Sequence, residues 1–298
     1  MISSHYAAIS GVILVLFCGL NPASANEPRI DIPRITSAPV IDGILDDKAW
    51  LEATKIDQFF QREPVEGAPA SEKTVAYVAY DKDMIYIAAR LYDRTPDKIT
   101  ARDLREDSGY FSDDAFTIAI DSLLDRRNAF CFALYAAGSK HDCRVEENSV
   151  YNLEWDGIWY GATSRDAKGW VAEFAIPFKT LSFESGSSVW GLELERYIPR
   201  RKEFSLWANH DQDISLAYVA AYGDIVGLRD LDQGLGLDVI PQLATRYRHR
   251  FDEDDNDFLP KPGGEIIYKL KPSLNASLVI NPDFSDAVVD NIKTNLTR

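Results

Sequence analysis

The chain has 298 residues, enough for one large domain or two smaller ones, and carries a formal net charge of -15. That balance argues against a nucleic-acid binder, which needs Lys and Arg against phosphate, and against peripheral binding to anionic lipid. It is compatible with neutral ligands such as sugars, with cations, or with an acidic surface that only keeps a secreted protein dispersed.

An apolar run, Ala7 to Leu20, opens the chain. Pro22-Ala23-Ser24-Ala25 follows it, with small residues in the A-x-A arrangement of a signal-peptidase site. A signal peptide over 1–25 is expected, cleaved after Ala25, although the leading MISSHYAAIS holds no Lys or Arg. The run falls short of the ~20 apolar residues of a membrane span, so export is expected rather than anchoring. Cys18 follows the bulky Phe17, where lipoprotein processing wants a small residue, so no lipid anchor is expected. Once the signal is removed, Cys131 and Cys143 remain. In an oxidising compartment they are either a disulfide or two thiols, and spacing alone leaves both open.

Pro28 to Pro39 reads as extended chain, because its prolines disfavour helix. Asp42-Gly43 is a turn pair, and Asp46 or Asp47 is expected to cap a short helical turn carrying Trp50 as a core anchor. Lys73 to Tyr92 gives two strands about the turn Asp81-Lys82-Asp83, with large residues on both faces, as in strands inside a sandwich. Asp93 to Tyr110 is polar and reads as a long loop or short helix. Phe111 to Asp142 is a hairpin. Phe116, Ile118 and Ile120, then Phe130, Phe132 and Leu134, share its core face. Arg144 to Tyr160 reads as a looser segment. Gly169 to Phe178 and Val189 to Arg200 alternate as strands, with Trp170 and Trp190 in the core. The basic Arg200-Arg201-Lys202 is a solvated turn or pairs with nearby acids. No helix-period segment of useful length occurs, so 26–230 is expected to be an all-β sandwich.

From Leu231 the pattern changes. Gly234 to Arg250 reads as a long strand and 251–264 as an acidic turn. Glu265 to Ser285 then alternates across Lys271-Pro272-Ser273-Leu274. Long alternating strands with polar turns look like the opening of an outer-membrane-type β-barrel. Since ~70 residues cannot supply eight strands of ~10, 231–298 is expected to be the start of an incomplete, truncated barrel.

Five motifs occur in order: IDG-x-LDD-x-x-W (Ile41 to Trp50), SDDAF-x-I-x-ID (Ser112 to Asp121), D-RRNAF-F (Asp125 to Phe132), GW-AEFAIPF-LSF (Gly169 to Phe183) and WGLELER (Trp190 to Arg196). Together they resemble family-9 carbohydrate-binding modules. More closely, the chain resembles the amino-terminal domain of bacterial outer-membrane proteins that join such a module to a barrel of unknown function. The NPDFS of Asn281 to Ser285 is similar to the start of that barrel part. The resemblance implies a jelly-roll-like β-sandwich on the periplasmic side of a Gram-negative outer membrane. It also implies sugar held between tryptophan rings and calcium in the loops. The family's tryptophan pair has no motif match here, so no ligand position is carried over.

Sugar recognition needs flat apolar faces and polar groups for hydroxyls. Two clusters offer both: Trp155 and Trp159 with Asn152, Glu154 and Asp156, and Trp207 with Asn209, His210, Asp211 and Gln212. The plainer alternative is that these tryptophans pack on the rim of the sandwich. Asp113, Asp114, Asp121 and Asp142 would serve a structural calcium if the hairpin ends meet a neighbouring loop. The run Asp252 to Asp257 lacks EF-hand spacing and reads as a solvated loop. Enzyme signatures such as G-x-S-x-G, H-E-x-x-H and a phosphate-cradling glycine loop do not occur. The adjacent acids Glu146 and Glu147 would point apart on an extended chain. The expected function is therefore non-catalytic binding of a glycan, with no nucleic acid and with membrane contact only through the barrel part. The alternatives are a module of a hydrolase acting on O-glycosyl bonds and a structural or interaction domain of the barrel. The sequence assigns no oligomeric state.

Overall fold

Alternating apolar side chains along most of the chain need sheets to face one another, and two packed sheets are what they build. The structure is a computed structural model and describes residues 28–107, 112–231, 236–250, 255–271 and 274–281. The expected signal at 1–25, Cys18 and the motif residues beyond Asn281 lie outside the described residues. The larger sheet runs from edge to edge as Arg29–Asp31, Gly223–Val226, Val189–Ile198, Ala115–Asp121, Ala129–Tyr135, Lys140–Glu146 and Val150–Asn152. Glu203–Leu206 pairs with the second half of Val189–Ile198, and Phe60–Glu63 pairs with it in turn. The smaller sheet is Tyr160–Asp166, Gly169–Pro177, Met84–Tyr92, Thr74–Tyr80 and Thr54–Ile56. Pairing in both is antiparallel except where Arg29–Asp31 joins Gly223–Val226 in parallel.

The expected hairpin sits at the centre of the larger sheet. Phe116, Ile118, Ile120, Phe132 and Leu134 lie in the inter-sheet core with Trp170, Phe174 and Trp190 from the strands opposite or alongside. Phe116 meets Phe174 at 6.3 Å between ring centroids, and Phe178 meets Trp190 edge-on at 5.7 Å. Each such fully buried side chain stabilises the sandwich by about 1.5–3 kcal/mol relative to exposure. The outer faces are covered too. The Leu216 to Tyr222 segment lies over Ala119, Cys131, Cys143 and Val145 on the larger sheet, and Trp50 and Ile35 cover Ala79, Tyr86 and Ala88 on the smaller. Trp50 is the expected core anchor. Its Nε1 donates to Glu173 Oε1 at 2.8 Å, while Glu173 Oε2 accepts from the amides of Asp42 and Gly43. Gly43 has φ +87° in that turn, and a Cβ there would stand 2.8 Å from the Thr163 carbonyl carbon, so both the turn and the approach require glycine.

Three local readings change. The helix Lys48–Glu52 starts after Asp47, but Asp47 Oδ2 accepts from the amide of Val40 and caps nothing. The segment read as loose after Arg144 is partly strand: Lys140–Glu146 pairs along the length of Ala129–Tyr135, and Val150–Asn152 adds an edge. The expected turn over 251–264 is strand from Asp255 onward. A third sheet of Leu237–Arg250, Asp255–Lys271 and Leu274–Ile280 has open edges, so among the described residues no closed barrel is formed. Pro260 and Pro262 fit within it because they lie past Gly264, where the third strand stops pairing and no ladder N–H is asked of them.

Candidate functional site: a cleft beside Trp155

The tryptophans expected to bind are separated by burial. Trp159 is 4% exposed, stacks on Phe174 at 5.7 Å and 13°, and donates Nε1 to Asp142 Oδ2 at 2.6 Å. Trp207 is 7% exposed and packs in the core against Gly223, where a Cβ would come within 2.9 Å of its ring. Neither ring presents an open face, so the expected sugar-stacking role of Trp159 and Trp207 gives way to packing. Asn209 is also buried. Its amide donates to Glu193 Oε2 and its Oδ1 accepts from Asp211 N, which makes it a turn former. Asn152 is held locally, donating to Glu146 Oε1 and accepting from the amide of Glu154.

Trp155 differs. It is half-buried, with its ring 5.1 Å from Phe130 and 5.8 Å from Phe132. Together with Phe130 it lines a cleft of about 490 Å³. Asn128 from the central hairpin turn, Asp156 beside Trp155, and Lys179, Thr180 and Ser182 from the loop after Gly169–Pro177 form the polar rim, next to the apolar Ile158. Leu237, Val239, Ile240 and Ile267 of the third sheet close one side. The guanidinium of Arg144 stands 5.5 Å from the Phe130 ring centroid. Among the described residues, the side chains of Arg144 and Asp156 make no hydrogen bond or ion pair, so a donor fork and a carboxylate stand unpartnered beside an aromatic wall.

The sequence reading brought Trp155 and Asp156 to this place and missed Phe130, Arg144 and Ser182. Phe130 and Arg144 are direct cross-strand partners, so the signal lay in the strand Lys140–Glu146, whose part from Arg144 onward was read as a looser segment.

The four aspartates expected at a calcium site do not converge. Asp113 Oδ2 accepts from the amides of Arg102 and Asp103, and Asp114 Oδ2 from Thr100 N. Asp121 accepts from Asp125 N and Arg126 N, and Asp142 from Trp159 Nε1. Each carboxylate is therefore engaged in separate structural hydrogen bonds: Asp113 and Asp114 with the 100–103 segment, Asp121 with its own turn, and Asp142 with Trp159. Among the described residues no group of three or more His, Cys, Asp or Glu is placed to hold a metal ion, while calcium asks for six to eight oxygens. Burial pushes Asp114 and Asp121 up to about 6, as befits acids serving structure in low dielectric.

Comparison with known proteins adds the family. The model of the family described as carbohydrate family 9 binding domain-like matches residues 41–212, more than half of the chain. A carbohydrate binding module of family 9 from Caldicellulosiruptor kristjanssonii in complex with cellotriose superposes with TM-score 0.49 and 16% identity, covering 66% of this chain and 92% of that one. The same organism's module in complex with glucose gives TM-score 0.49 and 17% identity over 69% and 100%. A protein from Bacteroides uniformis ATCC 8492, described as carbohydrate-binding, gives TM-score 0.54 and 10% identity over 67% and 99%, a likeness of fold alone. No match is found among curated proteins.

Proposed function

The chain belongs to the carbohydrate family 9 binding domain-like family, and on that premise we propose that it binds a glycan in the cleft beside Trp155. The observation that carries the reading is the composition of that cleft. The half-buried Trp155, backed by Phe130, offers C–H stacking surface, while Arg144 and Asp156, which make no hydrogen bond or ion pair among the described residues, supply a donor and an acceptor for hydroxyls. Calorimetric titration against a panel of neutral oligosaccharides tests this. Binding is expected, and Trp155→Ala is expected to weaken it about fivefold, in line with an aromatic contact of roughly 1 kcal/mol. Arg144→Ala, which leaves the Trp155 packing in place, is expected to weaken it as well. No binding across the panel, or binding indifferent to both changes, leaves a structural or interaction role. Turnover of the glycan by purified protein would replace binding with O-glycosyl hydrolysis.

We infer also that the module is exported and sits on the periplasmic side of an outer membrane. Support comes from the apolar run before Ala25 and from the long strands of the third sheet. The amino-terminal mass of protein recovered from a Gram-negative host checks export: a start at Asn26 is expected, and retention of 1–25 in the mature protein would count against it.

A further inference from the structure

A second cleft, of about 920 Å³, opens where the ends of the smaller sheet meet the 69–74 segment. Its apolar floor includes Phe59 and Tyr92, and it lies outside the Trp155 site. Three lining acids are each engaged. Glu72 accepts from Arg201 Nη2 at 2.5 Å and from Arg94 Nε at 3.3 Å, Asp93 accepts from Arg200 Nη2 at 2.6 Å, and Asp57 holds Lys55 Nζ at 2.6 Å. The lining cations are not engaged to the same degree. Lys73 and Lys168 make no ion pair among the described residues, and Arg94 keeps its side chain 72% exposed while touching Glu72. The acids that Lys73 and Lys168 feel, Asp57 and Asp166, are already bonded to Lys55 and Arg90. The ammonium of Lys73 stands 5.8 Å from the centroid of the Tyr92 ring. In a chain of net charge -15, this cleft combines paired acids, spare ammonium groups and an aromatic floor.

We propose that this cleft is a second saccharide site, selective for sugars that carry a carboxylate. The half-exposed Tyr92 ring, backed by the buried Phe59, suits the apolar face of a pyranose, and the two lysines supply the charge that a uronate needs. Lysine serves here as a compact point charge, whereas Arg94, though exposed, already donates Nε to Glu72 and Nη2 to the Ser71 carbonyl. The proposal is independent of the Trp155 site, which recognises neutral hydroxyls.

Titrating the full chain with an oligogalacturonate and with its carboxyl-reduced, neutral counterpart tests it. The acidic oligomer is expected to bind and to weaken as salt rises. Lys73 and Lys168 are exposed, so the double change Lys73→Ala, Lys168→Ala is expected to keep the fold while costing roughly tenfold in affinity, the scale of two exposed charge pairs. Trp155→Ala should leave this binding unchanged, and the lysine variant should leave neutral-glycan binding unchanged. Equal binding of the reduced oligomer, indifference to the lysine changes, competition by inorganic phosphate alone at equal affinity, or loss on Trp155→Ala would each overturn the proposal. None of those results would bear against the neutral-glycan reading of the other cleft.

Discussion

Glu195 faces the outer side of the larger sheet and is 5% exposed, yet its carboxylate accepts no hydrogen bond among the described residues. Burial pushes it up to about 7 from 4.5. Arg62 opposes the shift and Glu63 adds to it. Two residues earlier, Glu193 is also raised by burial but accepts from the backbone amides of Leu194, Trp207, Ala208 and Asn209, which makes it a strut for the turn after Leu206. For Glu195 the sign follows from proton counting. Below pH 4.5 folded and unfolded chains both hold the proton. Between 4.5 and about 7 the folded chain keeps a proton that the unfolded chain has released, so this group lowers stability as pH rises, levelling off above 7. Glu195→Gln is expected to melt with the wild type near pH 4 and above it at pH 8, in thermal scans run across that range. Parallel profiles at all pH values would show that Glu195 is already neutralised by Arg62. Nothing in the sequence marks Glu195 out, since it alternates like its neighbours. The tryptophans had the converse problem: residue type pointed to Trp155, Trp159 and Trp207 alike, while exposure, which depends on distant strands, singles out Trp155.

The strand Lys140–Glu146 shows why one element stayed hidden. Its apolar residues Cys143 and Val145 face the outer cluster, while Lys140, Asp142 and Arg144 turn toward the tryptophan-bearing loop. The alternation is present, but charged residues hold the face that meets the aromatic rings and only Cys143 and Val145 are apolar on the other, so the large branched and aromatic residues by which the central hairpin was readable are missing. This strand also places the two cysteines. Cys131 and Cys143 are directly opposed in register, both buried, and no disulfide joins them. Tyr135 N donates to Ser139 O, which sets the phase of the ladder and makes 131 and 143 a hydrogen-bonded pair. Such a pair has Cα atoms about 5.5 Å apart, inside the range a disulfide spans. Refolding with oxidised glutathione is expected to close the bond. Two thiols would lose two protons and two electrons while one glutathione disulfide is reduced to two glutathione thiols. The product should be about 2 Da lighter and melt higher, by up to about 3 kcal/mol of loop-closure stabilisation. Thiol titration finding two reactive groups after unfolding in denaturant would show that the pair stays reduced.

At the scale of the molecule, the sequence carried the sandwich because local alternation sets which face of each strand is buried. It could not carry the partners, since pairs such as Gly191 with Asp121 or Gly169 with Tyr92 join strands far apart in the chain. The third sheet is the case where register speaks to environment. Val239, Ile266 and Leu278 are aligned across it, as are Leu237, Tyr268 and Ala276, so one face is apolar across all three strands. Val239 is 63% exposed, Leu243 68% and Leu278 59%, a continuous apolar surface of the kind a water-soluble domain rarely leaves open. The opposite face mixes Gln242, Lys261, Glu265 and Ser277 with apolar residues. Apolar on one face, mixed on the other, over strands of 14 and 17 residues, is the pattern that the proposed outer-membrane placement calls for. This leads to an asymmetric mutational outcome. Leu243→Arg or Leu278→Arg puts a charge on the apolar face, outside the Trp155 cleft, at about 2–4 kcal/mol each if that face meets hydrocarbon. Gln242→Arg or Ser277→Arg puts the same charge on the other face at little cost. Recovery of each variant in the outer-membrane fraction of a Gram-negative host, with heat-dependent gel mobility as a check on assembly, should fall for the first pair and hold for the second. Equal recovery of all four, or recovery of the unmodified chain in the soluble fraction alone, would mean that the apolar face is covered by protein rather than lipid.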